Sequence, residues 1–371
     1  MSVYTDIGLK RVINACGRVT ILGVSTISEQ VAKAAVEGAQ SYVVIDDLMD
    51  RAGKIIAQHT GAEDACPTSC ASAAICLSVA GLVTKGRWHD VAKMPFSDGM
   101  ANEIVLQKGH AIEFGAPIET MIRLGGGVPV EAGTVNEVCV ADIEESITDK
   151  TVALLYVKSH HCVQKGMVDV ETMRDIAHKH NLPFMMDCAA EEDFRKYIAL
   201  GADLVCYSGA KALEATTSGF VTGKAELISY VKKQYRGIGR PMKVGKEQIM
   251  GLLAALDQYD NRDHKTEAAR NKAVADWLVE HVNAIPGLRA EEIADEAGRA
   301  IWRCRITLDD KAPESRGKTA SSINDALLQG DTLVRARTEF LNLGKIDLDP
   351  RPLVEGDKEL IVDKLTKIME A

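Results

Sequence analysis

The sequence lacks any basic excess. Its 44 lysines and arginines are outnumbered by 53 aspartates and glutamates, for a formal net charge of −9. A general nucleic-acid binder needs a positive footprint to meet phosphates, so this balance argues against that class. The cysteines show no CxxC spacing either. Among the nine cysteines neither a zinc site nor a redox pair is therefore suggested. Cys76, Cys139, Cys188 and Cys206 fall inside apolar runs and are expected to be buried, reduced thiols of a cytoplasmic protein. No run approaches the ~18 apolar residues of a membrane span. The opening "MSVYTDIGLKRVINACG" holds no apolar signal region. There is no internal repeat and no low-complexity segment. What is present is length: 371 residues, beyond the ~250–300 at which single cores stop growing. Two domains are therefore expected.

The first 25 or so residues are mixed and turn-rich, and read as an arm (1–28). From 29 to 60 the apolar spacing is helical, with Gly61 placed as a C-cap. "TSCASAAICLSVAGLV" then opens an apolar helix on small residues. After it, β-like runs alternate with helical ones. The runs are "EIVLQ", "VPV", "TVALLYV", "LPFMMD", "DLVCYS" and "GFVTG", with helices expected over 170–180 and 191–200. Continuous apolar strands separated by helices indicate an α/β domain with a mostly parallel sheet covered on both faces. This large domain is placed at 29–250. From Lys246 one long helix is expected, linking to a small α+β domain within 251–371. That domain has strand candidates "AIWRCRITL" and "KIDLD", and helices at 319–329 and 356–370.

Open α/β sheets bind ligands beyond the carboxyl ends of their strands, and four strand ends here are unusual. Asp187 closes "LPFMMD"; a carboxylate there is costly to bury without a partner, unless it caps the following helix. Lys211 stands in "SGAKALEATTSG", just past "DLVCYS". Alone it would be a surface lysine. "PTSCASAA" places Ser69, Cys70 and Ala71 at a helix start, where backbone N–H groups and the helix dipole favour an anion. Ordinary capping by Thr68 or Ser69 is the simpler account. Walker spacing is absent. His110 follows "EIVLQKG".

Asp187, a helix, a strand and then Lys211 is the order found in pyridoxal phosphate enzymes of the aminotransferase-like fold. The segments "RVINACGRVTILG", "TSCASAA", "DCAAEEDFRKYIALGADLVCYSGAKALEATTSG" and "GIGRPMKVGKEQIMGLLAAL" resemble the selenocysteine-synthase-like group of these enzymes. They are most similar to its sugar-acid ammonia-lyase branch. The resemblance implies the fold-type I large domain with a seven-stranded type of sheet, and pyridoxal 5'-phosphate as cofactor. It makes Lys211 the Schiff-base lysine and Asp187 the partner of the pyridine nitrogen. Ser69, Cys70 and Ala71 would hold the cofactor phosphate, with Ser208 as helper, and His110 would lie flat on the ring. Three departures argue against a charged-tRNA substrate: the core motif starts at Arg11, Val24 stands where the transferases carry arginine after "LG", and the net charge is acidic.

The lyase resemblance implies α,β-elimination on a 2-amino-2-deoxy sugar acid 6-phosphate such as D-glucosaminate 6-phosphate. The products would be 2-keto-3-deoxy-6-phosphogluconate and ammonia. Lys211 would take the Cα proton. Hydroxide leaves poorly, so a general acid is needed; Lys211 itself, His160 and His161 are the candidates. Arg240 and Lys243 in "GIGRPMK" match basic family positions and are expected at a phosphate. Arg351 in "LDPRPL" is expected at the substrate carboxylate, which suits its planar fork. A homodimer or higher homo-oligomer is expected. Other readings stand beside this one: another β-elimination or a selenium or sulfur transferase on a small amino acid, a non-catalytic pyridoxal phosphate binder, and a cofactor-free α/β protein.

Overall fold

The computed structural model describes residues 3–371. The chain divides into two compact units, one formed by Met1–Ser25 with Asp263–Ala371 and the other by Thr26–Arg262. The division differs from the expected cuts after 28 and 250.

In the unit that holds both ends, the segment read as an arm supplies a strand. Strand β1 (Arg11–Ala15) pairs in parallel with β11 (Thr332–Ala336), and Ile13 and Ala15 enter the core beside Val334, Leu278 and Leu365. A second, antiparallel sheet has the order β12 (Ile346–Leu348), β10 (Trp302–Leu308), β9 (Leu288–Ala294). Strand β9 carries no β-like run in the sequence, because "LRAEEIA" is charged and largely exposed at the sheet edge. The expected long helix is two. Lys246–Asp260 ends at Asn261, and His264–Asn283 starts afresh where Asp263 caps the backbone N–H of Thr266.

The larger unit is built on seven strands: β2 (Asp64–Thr68), β3 (Glu103–Gln107), β4 (Val128–Ala132), β5 (Thr151–Val157), β6 (Phe184–Asp187), β7 (Leu204–Ser208) and β8 (Gly219–Gly223). Their order is β2-β8-β7-β6-β5-β3-β4. All neighbours are parallel except those of β8, which runs against both β7 and β2. Successive strand residues feed opposite cores. Leu154, Met186, Val205 and Phe220 pack into one, and Leu155, Met185, Cys206 and Val221 into the other. Burial of both faces is why these strands read as unbroken apolar runs. The helix Ala71–Thr84 is buried around nearly its whole circumference, which explains its small, apolar sequence.

Two local expectations are corrected. Cys139 is exposed, because it lies outside the sheet at the start of helix Val140–Glu145. The helix expected over 191–200 is confined to Lys196–Ala199. Its earlier residues are used otherwise: Glu191 is buried and accepts the Tyr197 hydroxyl at 2.7 Å, and Asp193 Oδ1 accepts the backbone N–H groups of Arg195 and Lys196.

Candidate active site

The carboxyl ends of β5, β6, β7 and β2 lie on one side of the sheet. Register aligns Val157 with Asp187 and Asp187 with Cys206. One step outward, Ser208 faces Gly219, which faces Thr68. Asp187 thus sits in the middle of the sheet end, with Ser208 and the Thr68–Ala71 turn to one side.

Asp187 is buried. Its Oδ1 accepts the backbone N–H of Ala189 at 3.0 Å, a turn contact rather than the cap of a long helix. Burial raises its pKa above the ordinary carboxylate range, outweighing the Ala189 bond and the positive charge of Lys211. A carboxylate held in this way is under-compensated, and a further cation at this place would lower its cost.

Lys211 lies half-buried in the loop joining β7 to β8. The loop is closed on itself: Gly209 N–H donates to Ser218 O at 2.9 Å, Ala215 N–H to Gly209 O at 2.9 Å, and Glu214 N–H to Lys211 O at 3.2 Å. Gly209 is required by space, since a Cβ there would lie 2.3 Å from Ser218 Oγ. The small residues flanking Lys211 therefore fold a tight platform, and its charge acts on Asp187.

Ser69 and Cys70 are half-buried between β2 and helix Ala71–Thr84. Cys70 is the N-cap, accepting Ala73 N–H on Sγ at 3.3 Å, while Thr68 Oγ1 donates to Cys70 O at 2.8 Å. The first N–H groups of a helix have no acceptor within it, so this turn presents donors at the positive end of a 14-residue helix. Gly219 packs directly beneath: a Cβ there would lie 2.5 Å from Cys70 C and 2.7 Å from Ala71 N. No local signal in the sequence marks this contact, which the pairing of β8 with β2 creates.

His110 is buried, with its ring edge-on to Tyr156 at 4.5 Å. Val157 N–H donates to its Nδ1 at 3.3 Å, leaving the proton on Nε2. Burial, then the charge of Lys158, lowers its pKa to about 4. His110 is thus a neutral ring fastened to the residue beside Asp187, on a cavity of about 170 Å³ that Lys158 and Ser159 also line. His160 and His161 lie in the turn after β5, their rings 4.0 Å apart. Arg240 and Lys243 are exposed. They line a cavity of about 1000 Å³ with Trp88, Lys232, Tyr235 and Lys246. That lining includes neither Asp187 nor Lys211. Arg351 belongs to the other unit. Among the described residues, no three His, Cys, Asp or Glu form a metal site.

A buried acid wanting positive charge, a lysine on an adjoining strand loop and a donor-rich helix start suit the pyridine nitrogen, aldehyde and phosphate of pyridoxal phosphate. With the sheet they define a pyridoxal phosphate-dependent enzyme of the aminotransferase-like fold. The backbone is similar to that of a Thermus thermophilus aspartate aminotransferase, at TM-score 0.56 and 17% identity over 99% of both chains. The family model described as L-seryl-tRNA selenium transferase matches residues 12–285, and the chain belongs to that family. It is 46% identical to D-glucosaminate-6-phosphate ammonia lyase of Salmonella typhimurium, over 100% of this chain and 98% of that one. A solved D-glucosaminate-6-phosphate ammonia-lyase structure overlays with TM-score 0.90, at 46% identity over 100% of this chain and 98% of that one. A 5'-C-glycyluridine monooxygenase-decarboxylase of a Streptomyces species is 38% identical over 99% of this chain and 92% of that one. The chain is a pyridoxal phosphate-dependent carbon–nitrogen lyase acting on a small molecule.

Proposed function

We propose that the substrate is a 2-amino-2-deoxy sugar acid 6-phosphate, D-glucosaminate 6-phosphate in the first instance. It is converted to 2-keto-3-deoxy-6-phosphogluconate and ammonia. Water lost at the β-carbon is regained when the nitrogen is hydrolysed off, so the net loss is ammonia alone. The similarity at 46% identity along the whole chain carries this reading.

When bound, pyridoxal phosphate supplies the electron sink that side chains lack. The chain's own residues supply the rest. Asp187 holds negative charge at the buried end of the site, where a protonated ring nitrogen needs it. Lys211 takes the Cα proton on Nζ. Once protonated, the same Nζ can deliver a proton to the departing β-hydroxyl, with His160 or His161 as the alternative donor. The N–H groups at Ser69, Cys70 and Ala71 and the Ser208 hydroxyl hold the cofactor phosphate. His110, neutral and fixed, covers the ring. Arg240 and Lys243 take the substrate phosphate and Arg351 its carboxylate. The large domain carries the cofactor, and the working form is a cytoplasmic homo-oligomer. Exposed Tyr42, Val43, Val44, Ile45 and Trp88 support association, since they put an apolar surface beside the Arg240–Lys243 cavity.

The test is release of ammonia and 2-oxo acid from D-glucosaminate 6-phosphate by the pyridoxal phosphate-loaded protein. Equal release of both is expected. In Lys211→Ala, turnover and the visible imine absorption should vanish while thermal unfolding stays cooperative. Substantial residual turnover in that variant would remove Lys211 from the mechanism.

A further inference from the structure

Arg351 does not stand in isolation. Its Nε and Nη2 donate to Asp349 Oδ1 and Oδ2 at 2.9 and 2.8 Å, the paired bonds of a fork. Its backbone N–H reaches the same Oδ1 at 3.2 Å. Asp349 is fully buried, and its Oδ2, which Arg351 Nη2 already reaches, also accepts Arg303 Nε at 3.0 Å. Arg303 is in turn tied through Nη2 to buried Asp295 at 3.1 Å. Burial pushes the Asp349 carboxyl up, but Arg351, Arg303 and Arg337 pull it down further, well below the ordinary range. It stays charged at any working pH.

The N-terminal segment is shaped around this pair. Asn14 Oδ1 accepts the N–H groups of Cys16 and Gly17, and Asn14 Nδ2 donates to Gly17 O. The turn brings Gly17, at φ +96°, against the ion pair. A Cβ there would lie 2.9 Å from Asp349 Oδ2 and 3.4 Å from Arg351 Nη2. Asp349 N–H also donates to Ala15 O at 2.8 Å. Ala15 and Gly17 therefore lie directly against the ion pair.

A guanidinium offers two edges that fit a carboxylate in a fork, Nε with Nη2 and Nη1 with Nη2. Asp349 uses the first. It thereby sets the rotamer of a long side chain. Ordering such a chain in advance removes an entropic cost from binding.

We propose that Asp349, braced by Arg303 and admitted by Gly17, is the positioning residue for substrate-carboxylate recognition by Arg351. This rests on the reading of Arg351 given above. The test uses holoenzymes of Asp349→Asn, Arg351→Ala, the double variant and a control, Asp347→Asn. Asp347 is also buried and pairs with Arg305 through two bonds of 2.8 Å. Three quantities are measured: KM and kcat for D-glucosaminate 6-phosphate, Kd for unreactive D-gluconate 6-phosphate by calorimetry, and Tm. Asp349→Asn should raise KM and Kd about 10- to 100-fold, a misplacement effect, with kcat far less altered. Asp347→Asn should lower Tm but leave KM and Kd at parental values. The double variant should bind no worse than Arg351→Ala, because the two residues act as one unit.

Parental KM and Kd in Asp349→Asn, with both raised in Arg351→Ala, would overturn the positioning role and keep Arg351. Parental values in Arg351→Ala would overturn the carboxylate reading, and positioning with it. If Asp349→Asn does not fold, Arg303→Gln loosens the same brace with both partners of the fork intact. A raised KM supports the proposal there, and a parental KM overturns it.

Discussion

Gly219→Ala adds one methyl group where three backbone segments converge. The new Cβ would stand 2.5 Å from Cys70 C, 2.7 Å from Ala71 N and 2.8 Å from Tyr207 O. None of these atoms belongs to a side chain that could swing aside. Relief requires β8 to shift against Thr68 and Ser208, or the start of helix Ala71–Thr84 to lift from the sheet. Overpacking of this kind costs about 1–3 kcal/mol. If the strain falls on the helix start, the donors at Ser69, Cys70 and Ala71 lose their aim. The same energy set against cofactor binding corresponds to about 5- to 150-fold in Kd. The assay is a visible-absorbance titration of the apo variant with pyridoxal phosphate, beside urea unfolding of the same preparation. Weaker binding and lower stability are both expected. Parental stability would refute the close approach of β8 to the helix. Lower stability with parental affinity would keep the contact and refute the phosphate site.

Acid sensitivity and charge removal give two more predictions. His110 is held at about 4 by burial, below the ~6.5 of an unfolded histidine. The unfolded chain therefore binds the extra proton first. The stability this residue contributes is present above pH ~6.5 and falls away as pH drops toward 4, by about 3 kcal/mol. Urea unfolding of the parent and of His110→Gln at pH 7 and pH 4.5 isolates the difference, and an equal acid loss in both proteins would contradict it. Asp187→Asn keeps the shape and removes the charge. Its kcat should fall at least about a hundredfold, the scale of a lost preorganised electrostatic contact, while the Lys211 imine absorption still forms. A parental kcat would show that the Asp187 charge is not used.

Much of the larger unit was legible because burial on both faces leaves an unmistakable composition. "EIVLQ", "TVALLYV" and "GFVTG" coincide with β3, β5 and β8. Asp187 and Lys211 stood out because a charge at the end of such a run needs a reason. The polar elements were harder. Glu191 reads as a helix-surface residue, and only the structure shows it buried against Tyr197. Strand β1 looks like a loose arm until β11, contributed from far along the chain, lies beside it. The brace on Arg351 was beyond sequence reach for the same reason, since nothing local links Gly17 to Asp349. Arg240 and Lys243 were found as basic positions, but their shared cavity with Trp88 follows from helix packing that carries no motif.

The reversed direction of β8 has a consequence for how the molecule matures. Strands β6, β7 and β8, with Asp187 and Lys211, come from one continuous stretch of chain and can assemble locally. Strand β2 and the helix start behind it join by pairing Thr68 with Gly219, partners about 150 residues apart in sequence. On the proposed cofactor placement, a ligand gripping Lys211 with one end and the Ser69–Ala71 turn with the other would be a clasp across that seam. Binding only the closed form, it stabilises the seam in proportion to the logarithm of its concentration. Refolding with pyridoxal phosphate present would then be expected to yield more finished protein than refolding without it.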